Sequence, residues 1–252
     1  MIKPVFIHPD WSAPPNVKSL QTTRKGGVSL APYAGFNLGE HVGDAPEAVT
    51  RNRALLQTEA RLPAAPNWLE QTHGVAVFDL ADAPITHIPP RADAAVCRVP
   101  GRVCAIMTAD CLPVLFCDAA GAVVAAAHAG WRGLLAGVLE NTVAAMQVAP
   151  EQILVWLGPA IGATAFEVGA EVRAAFTAHA AEAESAFLPN TAGKAAGKYR
   201  ANLYQLARQR LSALGVTRIF GGDFCTHTDA ERFFSYRRDG RTGRMASLIY
   251  LG

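Results

Sequence analysis

Val123-Val124-Ala125-Ala126-Ala127-His128-Ala129-Gly130-Trp131-Arg132-Gly133-Leu134-Leu135 changes its period half-way along. Residues 121–127 form a short apolar run of the kind that makes a buried strand. After Gly130 the apolar positions recur as Leu134, Leu135, Val138, Leu139, Thr142, Val143 and Met146, which makes a broad helical face. A strand therefore feeds a long helix, and the strand end presents His128.

Working outward, residues 75–80, 93–99, 103–108 and 113–117 read as further strands, separated by Gly, Pro and Asp. Downstream, 153–157, 217–220, 232–236 and 246–251 read as strands, 167–186 and 201–214 as helices, and Asp239-Gly240 as a tight hairpin turn. Upstream, Asp44 followed by Pro46 and Glu47 has the spacing of a capping box opening a surface helix. Strands and helices are interspersed without strict alternation. The expected architecture is an α+β fold, a single catalytic domain over residues 1–252 with a mixed β-sheet core and flanking helices.

The chain has 252 residues, half of them hydrophobic, with a formal net charge of +2. A balance so close to neutral gives no large basic surface, so no nucleic-acid partner is expected. No apolar run reaches the roughly 20 residues of a membrane span. The N-terminal Met1-Ile2-Lys3-Pro4-Val5-Phe6-Ile7-His8 lacks the layout of a secretory signal, and a cytoplasmic location without membrane contact is expected. Five cysteines, at 97, 104, 111, 117 and 225, never form a Cys-x-x-Cys pair. They are expected to be thiols, with Cys97, Cys104 and Cys117 acting as small buried hydrophobes.

Chemistry gathers at the strand ends. Thr108-Ala109-Asp110-Cys111 ends one apolar run, His128 ends another, and Gln71-Thr72-His73-Gly74 sets a histidine between two strand candidates with a glycine for the turn. Two imidazoles and a thiolate suit zinc, and three protein ligands leave a fourth position open, as in catalytic sites. The helix start after Gly130, with Arg132, would favour an anion. No compact motif links the three donors, so spacing alone leaves buried or turn roles open for each. A closed structural metal site would recruit Cys225 or His227 as a fourth donor.

An ordered set of motifs decides between these. Thr22-Thr23-Arg24-Lys25-Gly26-Gly27-Val28-Ser29, Phe36-Asn37-Leu38-Gly39, His41-Val42-Gly43-Asp44, Asn52-Arg53, Gln71-Thr72-His73-Gly74 and Thr108-Ala109-Asp110-Cys111-Leu112-Pro113 run in sequence. They continue as His128-Ala129-Gly130-Trp131-Arg132-Gly133, Gly158-Pro159-Ala160-Ile161-Gly162, Cys225-Thr226 and Phe234-Ser235-Tyr236-Arg237-Arg238. Over nearly its whole length the chain resembles a bacterial family known by three names: polyphenol oxidoreductase laccase, purine nucleoside phosphorylase and peptidoglycan editing factor. One departure is Asn202-Leu203, where the family pattern has aspartate-leucine, so no carboxylate role carries over there.

The resemblance implies a zinc site formed by His73, Cys111 and His128, with copper able to enter the same ligands because it outranks zinc in affinity. It implies a zinc-dependent purine nucleoside phosphorylase acting on adenosine, inosine and methylthioadenosine, with adenosine deamination as a second activity. Cys111, His128 and Asp110 are then the catalytic candidates, Asp110 as proton shuttle. Arg24, Asn37, Gln71, Arg132 and Arg237 are the candidates for binding nucleoside and phosphate, and Trp131 either stacks on a base or anchors the helix start. Two alternatives use the same family. One is a cysteine-type amidase editing peptidoglycan precursors, with Cys111 as nucleophile and His128 as base. The other is a copper-dependent polyphenol oxidase, although seven histidines without a His-x-His pair suit a multi-copper centre poorly.

Overall fold

The structure, a computed structural model, describes residues 3–81, 88–189 and 197–252. Met1 and Ile2 of the N-terminal patch, and His87, lie outside the described residues. The strands are β1 (Phe6–Ile7), β2 (Val17–Thr22), β3 (Val77–Asp79), β4 (Ala94–Cys97), β5 (Cys104–Thr108), β6 (Leu112–Asp118) and β7 (Val124–Ala129). They continue as β8 (Ile153–Leu157), β9 (Glu167–Gly169), β10 (Phe187–Pro189), β11 (Lys198–Ala201), β12 (Arg218–Gly221) and β13 (Met245–Leu251). The helices are α1 (Pro46–Glu59), α2 (Trp131–Ala136), α3 (Val138–Met146), α4 (Ala170–His179), α5 (Leu203–Ala213) and α6 (Tyr236–Asp239). The fold is α+β, as its sequence pattern implies.

The described strands form three sheets. The largest runs β12-β8-β6-β7-β4-β3, with parallel pairs at both edges and antiparallel pairs between, so it is mixed. Its central strands are buried throughout because both faces are covered, and they are apolar except for Asp118 of β6 and His128 of β7. Val114, Phe116, Ala125, Ala127, Val155 and Leu157 face a layer that includes Leu139 and Val143 of α3 and Leu206 and Leu211 of α5. The alternate residues Leu115, Cys117, Val124, Ala126, Leu154 and Trp156 pack with Cys104 and Ile106 of β5 and Ile249 and Leu251 of β13. That second sheet is β1-β2-β13-β5, and a small third one is β10-β11-β9. β5 and β6 are separated by three residues yet belong to different sheets, and Ala109-Asp110-Cys111 make that crossing.

Several expectations are corrected. The long helix after Gly130 is broken at Gly137, whose φ of 106° closes α2 and opens α3. β7 extends through His128 to Ala129, so the histidine lies within the strand. Residues 167–186 divide into β9, α4 and a 3-10 turn over Ala181–Ala186. No strand covers 232–236: Ser235 caps α6 by accepting from the N–H of Arg238, and Gly240 ends that helical turn, so Asp239-Gly240 closes no hairpin. Asp44 does not cap α1, whose N-cap is Ala45. Its carboxylate instead accepts from Ser29 Oγ, Asn37 Nδ2 and the N–H of Ala45.

Candidate metal centre

β6 and β7 pair with Leu112 opposite Ala129 and Pro113 opposite His128. This register carries Cys111, just before β6, to the level of Gly130, just after β7. His73 arrives from the loop preceding β3. One donor atom from each of His73, Cys111 and His128 lies within 4.8 Å of the others. His73 Nε2 is 3.8 Å from Cys111 Sγ, and the two imidazole rings meet edge to face with centroids 4.7 Å apart.

The residue that organises this cluster is Asp93, which precedes β4 and is fully buried. Its Oδ1 lies 2.8 Å from His128 Nδ1 and accepts the backbone N–H of His73 at 2.9 Å. Its Oδ2 accepts from the N–H of Thr72, the hydroxyl of Thr72 and the N–H of Gly74. Since His128 donates Nδ1–H to this carboxylate, its Nε2 lone pair is left for the cluster. The same carboxylate braces His73, which at φ 61° is itself in the left-handed region beside the glycine expected to make the turn. Asp93 went unrecognised in the sequence. Its only local signal is a lone carboxylate heading the all-apolar run Ala94-Ala95-Val96-Cys97.

The electrostatics match the geometry. Burial alone would raise the Asp93 carboxyl, but hydrogen bonds from His128, Gly74 and Thr72 overcome it and hold it near 2. Burial likewise opposes ionisation of Cys111 and His128. Their mutual attraction and the Asp93 and His73 contacts prevail, setting Cys111 at about 6 and His128 at about 9. Without a cation the pair is thus a thiolate and an imidazolium.

The donor set fits zinc: two imidazole nitrogens, one thiolate and a carboxylate fixing one ring from behind. Space fits as well. A Cβ on Gly130 would lie 2.9 Å from Cys111 Sγ and 3.0 Å from His73 Cδ2, so only glycine leaves the space between the donors open. Among the described residues this is the one such group of three His, Cys, Asp or Glu side chains. Cys225, considered as a fourth donor, lies outside it and accepts from the N–H of Gly162 at 3.2 Å.

The other predicted site residues are placed as follows. Asp110, at φ 95°, accepts from Thr226 Oγ1 at 2.6 Å, Ser235 Oγ at 3.0 Å and the N–H of Arg237 at 2.6 Å. Its carboxylate thereby ties the crossing between the two sheets to the 226–237 segment. Asn37 is fully buried, its side chain bonded to Gly39, Asp44 and the N–H of Arg244. The Gln71 amide both donates to and accepts from the backbone of Met107. Arg24 donates to the carbonyls of Ala34 and Ala230 and stacks on Phe234. Arg237 donates to the carbonyl of Glu167. Arg132 is exposed, its guanidinium 4.5 Å from the centre of the Trp131 ring, and Trp131 packs against the core as an anchor. The α2 that follows Gly130 has only six residues, a shorter dipole than the long helix expected. Arg244 is lowered by burial, against the opposing pull of the negative charges on Cys111 and Asp110. Asn202, standing where the family pattern has aspartate, caps α5 by accepting from the N–H of Gln205, a task an amide oxygen performs as a carboxylate would.

Residues 18–252 match the family model described as multi-copper polyphenol oxidoreductase laccase. The chain is 57% identical over 98% of both chains to the protein named purine nucleoside phosphorylase YfiH of Escherichia coli (strain K12). It is 56% identical, at the same coverage, to purine nucleoside phosphorylase PA4543 of Pseudomonas aeruginosa. The crystal structure of Neisseria meningitidis protein NMB0706 is similar at a TM-score of 0.91 and 54% identity, over 98% of both chains. YlmD from Geobacillus stearothermophilus is similar at 0.83 and 30%, over 94% of this chain and 92% of its own. On a match over residues 18–252, which include all three cluster residues, the chain belongs to the multi-copper polyphenol oxidoreductase laccase family.

Proposed function

We propose that this chain is a zinc-dependent purine nucleoside phosphorylase acting on adenosine, inosine and methylthioadenosine, with adenosine deamination as a second activity of the same site. The observation that carries the reading is the three-donor cluster of His73, Cys111 and His128, braced by Asp93. The names of its relatives support it. Zinc held by these donors supplies a Lewis acid beside the substrate. Asp93 keeps His128 in one tautomer and one orientation, so the site needs little rearrangement when substrate arrives. Cys111 remains ionised at neutral pH, presenting a thiolate to the cation. We assign phosphate to Arg132, exposed at the start of α2, with Arg244 adding positive charge beside Cys111. Arg24 and Arg237 are assigned to nucleoside binding, and Asp110 is a positioning residue in this scheme.

No described helix is long and apolar enough to cross a membrane. A cytoplasmic location and a single catalytic domain over 1–252 belong to the same proposal. Copper in place of zinc would use the same three ligands.

The test is turnover of adenosine, inosine and methylthioadenosine by metal-quantified protein, with and without phosphate, for wild type and Cys111→Ala, with products separated by chromatography. Base release that needs phosphate, scales with zinc content and vanishes in the variant is expected. Fully zinc-loaded protein that leaves all three nucleosides untouched would overturn the reading.

A second reading is favoured by one observation. Cys111, His128 and Asp93 stand in the order of a thiol, its base and the carboxylate that orients the base, with the thiol held at about 6. That arrangement suits a cysteine amidase acting on peptidoglycan precursors. Hydrolysis of such an amide that survives complete chelation would select it.

A further inference from the structure

Among the described residues, Tyr236 is the one phenylalanine, tyrosine or tryptophan that the fold leaves exposed, at 62%. Every other such ring is buried or half-buried. The arginines around it lie over different rings: Arg24 over Phe234, Arg237 over Phe166 and Arg241 over Tyr33. The Tyr236 ring is therefore open to a partner from outside the chain.

Asp110 fixes where that ring stands. It immediately precedes the cluster residue Cys111, and its Oδ2 accepts from Ser235 Oγ at 3.0 Å and from the N–H of Arg237 at 2.6 Å. Tyr236 lies between these two donors, so its backbone is clamped to the carboxylate beside the candidate metal centre. The turn is held further by Arg238, whose N–H donates to Ser235 Oγ and whose guanidinium donates to the carbonyls of Thr226, His227 and Phe233. Arg244 relates the ring to the cluster independently. Burial lowers this guanidinium, while the charges of Cys111, Asp110 and Tyr236 oppose that effect, so thiol and phenol both lie within its electrostatic reach.

An aromatic face on a braced turn offers apolar contact at little cost in ordering, because the backbone is already fixed and only two side-chain torsions remain. A planar heterocycle covers such a face, whereas a sugar or a phosphate has no matching surface. Stacking reads the face of a base and not its edge, so adenine and hypoxanthine are accepted alike.

We propose that Tyr236 is the base-binding residue of this site, its ring stacking on the purine of a nucleoside whose ribose lies toward Cys111 and His128. This rests on the nucleoside reading given above and names the side chain that holds the base.

The probe is inosine, titrated calorimetrically without phosphate into the zinc-loaded full chain as wild type, Tyr236→Phe and Tyr236→Leu. An exposed position tolerates both changes. Tyr236→Leu should weaken inosine about fivefold or more, and Tyr236→Phe, which keeps the ring, by less than about twofold. Ribose 1-phosphate, which carries no base, should bind all three proteins alike. With phosphate present, the loss in Tyr236→Leu should appear in KM and not in kcat, for adenosine and inosine by similar factors. Equal inosine affinity in wild type and Tyr236→Leu overturns the inference, as does a phenylalanine variant as weak as the leucine one, or an equal loss of ribose 1-phosphate. Wild-type protein that binds no inosine overturns the nucleoside reading itself and this inference with it, so the two failures are told apart by the wild-type titration.

Discussion

Asp93 Oδ1 and His128 Nδ1 are 2.8 Å apart in a fully buried contact, and the same oxygen holds the backbone of His73. One carboxylate therefore sets the ring of one donor and the loop of another. Asp93→Asn keeps the shape but loses the charge, and it presents an N–H₂ to groups that already donate. Metal affinity should fall about 10- to 100-fold, the usual cost of removing such a partner. Competition with a chromogenic chelator measures this; unchanged affinity would mean that His73, Cys111 and His128 orient themselves.

The same contact predicts acid sensitivity in the metal-free protein. Asp93 is held near 2 in the fold against an ordinary 3.8. A depressed value stabilises the fold fully above the ordinary one, and that stability is lost as pH falls through the folded one. In chelator-treated protein, wild type should exceed Asp93→Asn by about 2 kcal/mol at pH 6, with the gap closing below pH 4. Urea unfolding followed by circular dichroism reads the gap. A constant difference across that window would remove the charge from the account.

Gly130 tests the cradle independently of charge. Its backbone, at φ −61° and ψ 155°, suits any residue, so Gly130→Ala adds a methyl group without backbone strain. That methyl would meet Cys111 Sγ and His73 Cδ2 at about 3 Å. Zinc per chain should drop at least tenfold in this variant at limiting metal, with the melting temperature of the metal-free protein changed by only a few degrees. Full zinc occupancy would place the ion elsewhere.

The five thiols should separate by environment. Burial pushes Cys117 to about 12, raises Cys97, and raises Cys104 further still. Cys111 is held at about 6, and Cys225 is lowered by its hydrogen bonds against the effect of burial. Since the thiolate is the reactive form, a disulfide reagent at pH 8 should modify two thiols quickly in chelated protein and one, Cys225, after zinc is restored. Three or more fast thiols would contradict the packed core.

What the sequence made legible follows from range. The change of period at Gly130 is local, so β7, the start of α2 and the position of His128 could be read directly. The helix break at Gly137 is a matter of one backbone angle within a continuous apolar pattern, and it was missed. Asp93 was invisible for a different reason: its partners His73 and His128 lie 20 and 35 residues away, and nothing beside it in the chain announces them. β5 and β6 look alike as sequences, and only pairing with β13, at the far end of the chain, assigns β5 to another sheet. Asn37 and Gln71 stay open in the sequence, because an amide beside a glycine turn looks the same whether it serves backbone or substrate, and their bonds to Arg244 and Met107 span long stretches of chain.

Asp110 separates positioning from proton transfer. Its two oxygens accept from two hydroxyls and one N–H, so an asparagine there can accept at one atom but must turn donors toward the others. Each unsatisfied group costs about 1–3 kcal/mol, and the 226–237 segment should loosen. Asp110→Asn should therefore lower the melting temperature, keep most of its zinc, and reduce phosphorolysis and deamination by similar factors. A proton shuttle would behave otherwise: deamination would fall alone, stability would hold, and the pH profile of kcat would lose one limb. Measuring both activities across pH beside the melting curve decides between them, because a shared loss with lowered stability comes from the tie to Thr226, Ser235 and Arg237, whereas a selective loss comes from the proton.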